Sequence, residues 1–226
     1  MQTYPVHEFF HSWQGEGTHL GKSAFFIRLF GCPVKCSWCD SAGTWHPDYV
    51  PKEAPRYTAE WLAGKAADSG AKIAIITGGE PTIHDLSELT EQLTAKGVAS
   101  HLETCGAFSV KGKLDWITLS PKWDALPLEE NLEAASEFKL IVEDENSIEK
   151  WIQQLGSAIE GRPIWLQPEW SKRADKEILR IITETVKQRG GFFRAGYQLH
   201  KIYLADNLDP NLQKSTPLGG NPELGY

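Results

Sequence analysis

The chain has 226 residues, of which 41% are hydrophobic and 23% charged, a composition that fits one soluble globular domain with a single core. A net charge of −7 excludes general affinity for nucleic acid or anionic lipid, and no apolar run approaches the roughly 18 residues needed to cross a bilayer. The opening stretch MQTYPVHEFFHSW carries Glu8 and two histidines and lacks a basic-then-apolar signal pattern, so a cytoplasmic location is expected.

In chain order, SAFFIRLF (23–30) is expected as the first strand, running into a loop that holds Cys32, Cys36 and Cys39. A helix is expected over 58–69, then a short buried strand KIAIIT (72–77) closed by Gly78-Gly79. Leu86, Leu89 and Leu93 recur at helical spacing, and Gly97 stands where that helix should stop. VASHLE (98–103), DWITLS (115–120) and FKLIVE (138–143) read as strands. Ile148, Trp151, Ile152 and Leu155 mark a helix ended by Gly156, and PIWLQ (163–167) follows as a strand. Ile178, Ile182 and Val186 mark the last helix, before a final strand FFRAGYQLH (192–200).

This alternation predicts an α/β fold: a mainly parallel sheet with helices packed outside. The links around 104–114 and 121–136 are too rich in Gly or Pro for full helices, so the expectation is an incomplete TIM-like barrel. A single domain spans 1–226, with an irregular surface tail over about 205–226. Polar clusters fall at strand ends, where such sheets bind ligands: the cysteine loop, Gly78-Gly79-Glu80, Glu103-Thr104, Ser120-Pro121-Lys122 and Gln167-Pro168-Glu169.

Three of only four cysteines lie in one loop, which in a reducing compartment reads as metal-binding or redox chemistry. A zinc site needs a fourth ligand, for which His46 or Cys105 are the candidates. A 4Fe–4S cluster held by three cysteines instead leaves one iron open to a substrate or cofactor. The gaps between the cysteines, with Trp38 before the last of them, resemble the signature of the radical S-adenosylmethionine superfamily. TGGEPT (77–82) resembles that superfamily's Gly-Gly-Glu-Pro motif. The resemblance implies that the open iron chelates S-adenosylmethionine and that its one-electron cleavage gives a radical that abstracts hydrogen from the substrate.

WQGEG (13–17), CDS (39–41), LSPK (119–122), QPE (167–169) and QLHK (198–201) narrow the resemblance along nearly the whole chain. Together they resemble the 7-carboxy-7-deazaguanine synthase family. That family contracts the ring of 6-carboxy-5,6,7,8-tetrahydropterin, releases ammonia and supplies the 7-deazaguanine precursor of queuosine, a carbon–nitrogen lyase activity.

Carried to this sequence, the resemblance implies that Trp13, Gln14, Gly15 and Thr77 contact the pterin. Glu16, Arg28 and His200 form its catalytic set, with Arg28 on the substrate carboxylate and His200, with Gln198, at the far edge. Gly79, Ser120, Pro121 and Lys122 line the S-adenosylmethionine site, and Gln167, Pro168, Glu169 and Trp170 close around the adenosyl part. Cys32, Cys36 and Cys39 ligate the cluster, and Ser41 ligates a Mg²⁺. It also implies a homodimer and an electron donor such as flavodoxin or ferredoxin. Many relatives end soon after the His-Lys-Tyr stretch, whereas Lys201 to Tyr226 follow His200 here.

Two residues carry a local argument as well. Alternation puts Arg28 on one face with Phe26 and Phe30, where a guanidinium needs an anion, either the substrate or a protein carboxylate such as Glu103. If FFRAGYQLH is extended, His200 shares a face with Gln198 and Arg194. Ser41 can equally be a helix N-cap. Cys105 reads as a buried thiol outside the cluster, and Glu103 as a site residue without a fixed role. Two other classes remain open: a glycyl-radical activase of the same superfamily, which needs a protein-docking surface, and a zinc or iron–sulfur sensor module.

Overall fold

A computed structural model describes residues 1–205. The expected irregular tail lies outside the described residues from Asp206 onward. Strands β1 (Thr3–Trp13) and β2 (Ser23–Leu29) form an antiparallel hairpin in which Phe10 faces Phe26 and Glu8 faces Arg28. β1 corrects the expectation that the first strand begins at residue 23. Its apolar alternation is hidden by Pro5, His7 and Glu8, and a register shift between Val6 and Glu8 interrupts the period of two. The short β3 (Arg56–Thr58) pairs with the other side of β1.

From β2 onward the strands pair in parallel. They run through β4 (Ile73–Gly78), β5 (Ala99–Thr104), β6 (Trp116–Leu119), β7 (Glu137–Val142), β8 (Ile164–Pro168) and β9 (Phe193–Ala195). The sheet order is β3-β1-β2-β4-β5-β6-β7-β8-β9, and the sheet stays open, as an incomplete barrel should. Helices α1 (Ala59–Asp68) and α2 (Ser87–Ala95) fall where the periodicity put them. Link 121–136 holds only the short α3 (Glu129–Ala134), and 104–114 holds no helix. α4 (Ser147–Leu155) and α5 (Lys176–Arg189) follow as expected. Thr58 accepts from the Trp61 N–H and Asp175 from those of Glu177 and Ile178, fixing where α1 and α5 begin.

The final stretch departs from the expected strand over 192–200. The Gly196 N–H makes the last bond to β8, at Leu166 O, and the chain turns at Gln198 into α6 (Leu199–Ile202). α5 is therefore not the last helix, and His200 is helical.

Two apolar clusters fill the space between sheet and helices. Ile27, Leu29, Ala74, Ile76, Leu86, Leu89, Leu93 and Leu102 belong to one, and Phe138, Leu140, Val142, Ile148, Trp151 and Leu166 to the other. Full burial of each Leu, Ile or Phe contributes about 1.5–3 kcal/mol. Period-two alternation then leaves the opposite strand face for polar side chains, among them Glu103 on β5, Lys139 on β7 and Gln167 on β8. Among the described residues no helix is long and apolar enough to cross a membrane.

Candidate active site

The C-terminal ends of the parallel strands surround a cavity of about 290 Å³. Its first wall is the cysteine loop, which follows β2. The Gly31 N–H donates to Thr44 O, and the Glu80 N–H donates to Gly31 O, tying the loop to the end of β4. A Cβ at Gly79 would stand 2.2 Å from Gly31 O and 2.7 Å from Cys32 Cβ, so only glycine lets the two chain segments approach this closely. Cys32, Cys36 and Cys39 are unbridged, half-buried and line the cavity. Burial pushes the Cys36 thiol up to about 11 and raises that of Cys39, which accepts from Trp45 Nε1 at 3.3 Å.

Neither candidate for a fourth zinc ligand fits. His46 lies off the cavity, with Nδ1 3.7 Å from Asp48 Oδ2. Cys105 also lines the cavity, but it is buried, and its thiol is pushed up by burial and then by the adjacent Glu80 carboxylate. Among the described residues no three His, Cys, Asp or Glu side chains gather around a single ion position. The donor set at the wall is three soft thiols without a fourth protein ligand, which fits a cluster with one open iron.

Glu80 is a brace between strand ends. One carboxylate oxygen accepts from Thr82 N–H, Thr82 Oγ1 and Thr104 Oγ1, and the other from the Cys105 N–H, so β4 and β5 end in fixed register. Beyond β6, Lys122 Nζ folds back onto Ser120 O and Oγ at 2.6 and 2.8 Å and stands 5.6 Å above the Trp38 ring. Burial lowers its affinity for a proton. Ser120 and Lys122 line the cavity, and Pro121 between them is buried. At the end of β8 and just beyond it, Gln167, Pro168, Glu169 and Trp170 all reach the cavity, and Glu169 accepts from the Ser171 N–H.

Arg28 projects from β2 into the cavity and donates through Nε to Glu8 Oε1 at 2.7 Å. The protein partner is Glu8, across the hairpin, and not Glu103. Its Nη1 lies 3.4 Å from Ser41 Oγ, and Ser41 Oγ donates to Asp40 Oδ1 at 3.1 Å. Ser41 precedes a short 3-10 turn but makes no side-chain capping bond.

The floor is a charged network. Lys139 Nζ lies 2.7 Å from Glu16 Oε2 and 2.8 Å from Glu103 Oε2. Gln14 Nε2 donates to Glu103 Oε1, Gln198 Nε2 to Glu16 Oε1, and Gln167 Nε2 to Glu16 Oε2. Burial opposes ionisation of Glu16, yet the Lys139 ammonium and then His200 hold its carboxyl down at about 2. Glu103, then Glu16, push Lys139 above the ordinary lysine range despite its burial. Lys139 escaped the sequence reading, although a lone lysine inside the apolar run FKLIV was a readable signal.

α6 closes the mouth. The Leu199 N–H donates to Gly15 O, and His200 packs on that bare backbone, where a Cβ at Gly15 would stand 2.2 Å from His200 Nδ1. Lys201 donates to Asp40 Oδ2 at 2.8 Å and lies 4.8 Å above Trp170, while Tyr203 meets the Trp13 ring edge-on at 5.4 Å. Lys201, with Gln198, outweighs burial and holds the Asp40 carboxyl well below the usual carboxylate range. His200 and Gln198 do meet the pocket, from a helix turn and not along a strand. Arg194 is exposed, 5.4 Å from Trp165. Trp13, Gln14, Gly15, Glu16 and Thr77 also line the cavity.

Fold and pocket define an open, mainly parallel α/β half-barrel whose ligand cavity is walled by three thiols and floored by paired charges. No protein-family model matches the chain. It is 40% identical over 200 residues to a 7-carboxy-7-deazaguanine synthase of Synechocystis, a match covering 88% of this chain and 92% of the relative. It is 35% identical over 222 residues to that of Escherichia coli K12, covering 88% and 97%. The crystal structure of QueE from Escherichia coli superposes with a TM-score of 0.74 at 34% identity, covering 88% of this chain and 95% of that one. The chain belongs to the 7-carboxy-7-deazaguanine synthase family.

Proposed function

We propose that this chain is a radical S-adenosylmethionine lyase that converts 6-carboxy-5,6,7,8-tetrahydropterin to 7-carboxy-7-deazaguanine with release of ammonia. The observation that carries the reading is one cavity lined by Cys32, Cys36 and Cys39 and by the charged Arg28, Glu16 and Lys139 cluster, in a chain of this family. Cys32, Cys36 and Cys39 would hold a 4Fe–4S cluster, and Gly79, Ser120, Lys122 and the 167–170 stretch would line S-adenosylmethionine. When bound, the two supply one-electron cleavage of a sulfonium and a hydrogen-abstracting radical.

The chain's own residues do the rest. Arg28, held in place by Glu8, presents its guanidinium to a substrate carboxylate. Glu16 and Glu103, ionised, accept from the N–H edge of a pterin, and His200 with Trp13 covers the mouth and excludes water. Ser41, beside Arg28, is the hydroxyl available to a Mg²⁺ that also draws oxygens from the substrate. Flavodoxin or ferredoxin as electron donor, a homodimer and a cytoplasmic location complete the reading.

Anaerobic protein incubated with S-adenosylmethionine, reductant, Mg²⁺ and the pterin should yield 7-carboxy-7-deazaguanine by mass. Cys32→Ala, Cys36→Ala and Cys39→Ala should each lose iron, sulfide and all turnover, whereas Cys105→Ala keeps the cluster. Sustained 5′-deoxyadenosine without ring contraction would favour an activase. A colourless, zinc-bearing protein without sulfide would make it a sensor module.

A further inference from the structure

The geometry points to Lys139 as a positioning residue that holds Glu16 and Glu103 together as an ionised pair on the cavity floor, aimed at the N–H edge of the heterocycle. The inference rests on the proposed pterin reading and extends it to a residue that the motifs do not contain. Lys139 stands on the inward face of β7, between the outward Phe138 and Leu140, both fully buried. Its side chain is 13% exposed, and those of Glu16 and Glu103 are 10% and 18% exposed. The two acids come from distant segments, the turn after β1 and the end of β5, and their carboxylates meet at the ammonium.

Two carboxylates this close in a half-dry pocket cannot both stay ionised without a cation between them. A protonated acid would offer an O–H where the heterocycle also offers N–H donors, so charge state and fit are one property. Lys139 is that cation. The neutral amides of Gln14, Gln167 and Gln198 fix the carboxylate planes but supply no charge. Among the described residues, the other titratable groups facing this cluster are His200 from α6, against Glu16, Lys122 from the loop after β6, near Lys139, and Asp40, which shares the Gln198 amide with Glu16. The depressed Glu16 and raised Lys139 agree with a mutually stabilised triad of net charge −1.

The test compares Lys139→Met, Lys139→Arg and wild type as cluster-loaded proteins. First, ¹³C-glutamate carboxyl titration is read without substrate, so its result stands whether or not the wild type converts the pterin. Lys139→Met should show a carboxyl titrating above pH 5 that wild type and Lys139→Arg lack. Second, Lys139→Met should raise KM for the pterin roughly 10- to 100-fold with a smaller change in kcat. The acid limb of kcat/KM should move to higher pH, and Lys139→Arg should restore most of both. A Lys139→Met protein with lowered melting temperature but unchanged titration and KM would make Lys139 a packing residue and overturn the assignment. If Lys139→Met does not accumulate, Lys139→Met/Glu103→Gln removes the cation and one anion together. Recovery of folded protein in that variant supports the role, and failure of both variants overturns it.

Discussion

Along β7 the side chains alternate between two environments. Phe138, Leu140 and Val142 point outward and are fully buried against α4, α5 and β8. Glu137 and Lys139 point inward, where Glu137 accepts from Thr18 N–H, Thr118 Oγ1 and Trp165 Nε1, and Lys139 meets Glu16 and Glu103. The outward contacts have no direction, and what they contribute scales with area and volume. The inward contacts are directional and charge-matched, so losing one partner strands another. Damage outside should therefore appear in stability, and damage inside in substrate handling and pH response.

Arg28→Ala should break the inner face most severely. Losing a clamp on the substrate carboxylate costs about 2–5 kcal/mol, a fall of roughly 30- to several-thousand-fold in kcat/KM. It also takes the guanidinium away from Glu8, whose side chain is only 8% exposed. Pairing Arg28→Ala with Glu8→Gln should recover melting temperature without recovering turnover. If turnover returns with stability, Arg28 only bridges the hairpin.

Leu140→Ala sharpens the contrast from the other side, one residue from Lys139. It should cost about 2–5 kcal/mol in denaturant unfolding. KM for the pterin should stay within about twofold of wild type, and a large KM change would mean the two faces are not independent.

The smallest effect concerns His101, on the inner face at the start of β5, its ring 4.5 Å from that of His19. Burial, then His19, push His101 down to about 4. Its folded value lies below its unfolded one, so as pH drops through about 6.5 the unfolded chain takes up a proton that the folded one refuses. Stability should decline from there until about pH 4, by about 1 kcal/mol at pH 5.5. His101→Phe should flatten that slope in urea midpoints measured between pH 7 and 5.

Legibility followed the range of the interaction. The cysteine loop and TGGEPT were readable because their spacing is local, and the outer strand faces because burial alone sets their pattern. β1 was not, since Pro5 and the shift near Val6 spoil its alternation, and with it went the Glu8 partner of Arg28. His200 lines the cavity from a helix and not from the expected strand, because nothing local announces the turn after Gly196. Lys139 needed partners from two remote segments before its place in an apolar strand made sense.

The sheet is assembled almost in sequence order, with each strand from β5 onward laid beside its predecessor. α6 is the exception: Gln198 reaches back 182 residues to Glu16, and Lys201 161 residues to Asp40. These contacts close long loops, whose closure is entropically costly and comes late. During synthesis from the N-terminus, the thiols, Gly79 and Lys139 are in place while the α6 side still stands open. The same chain thus leaves one side of the pocket accessible until its last described turn is made.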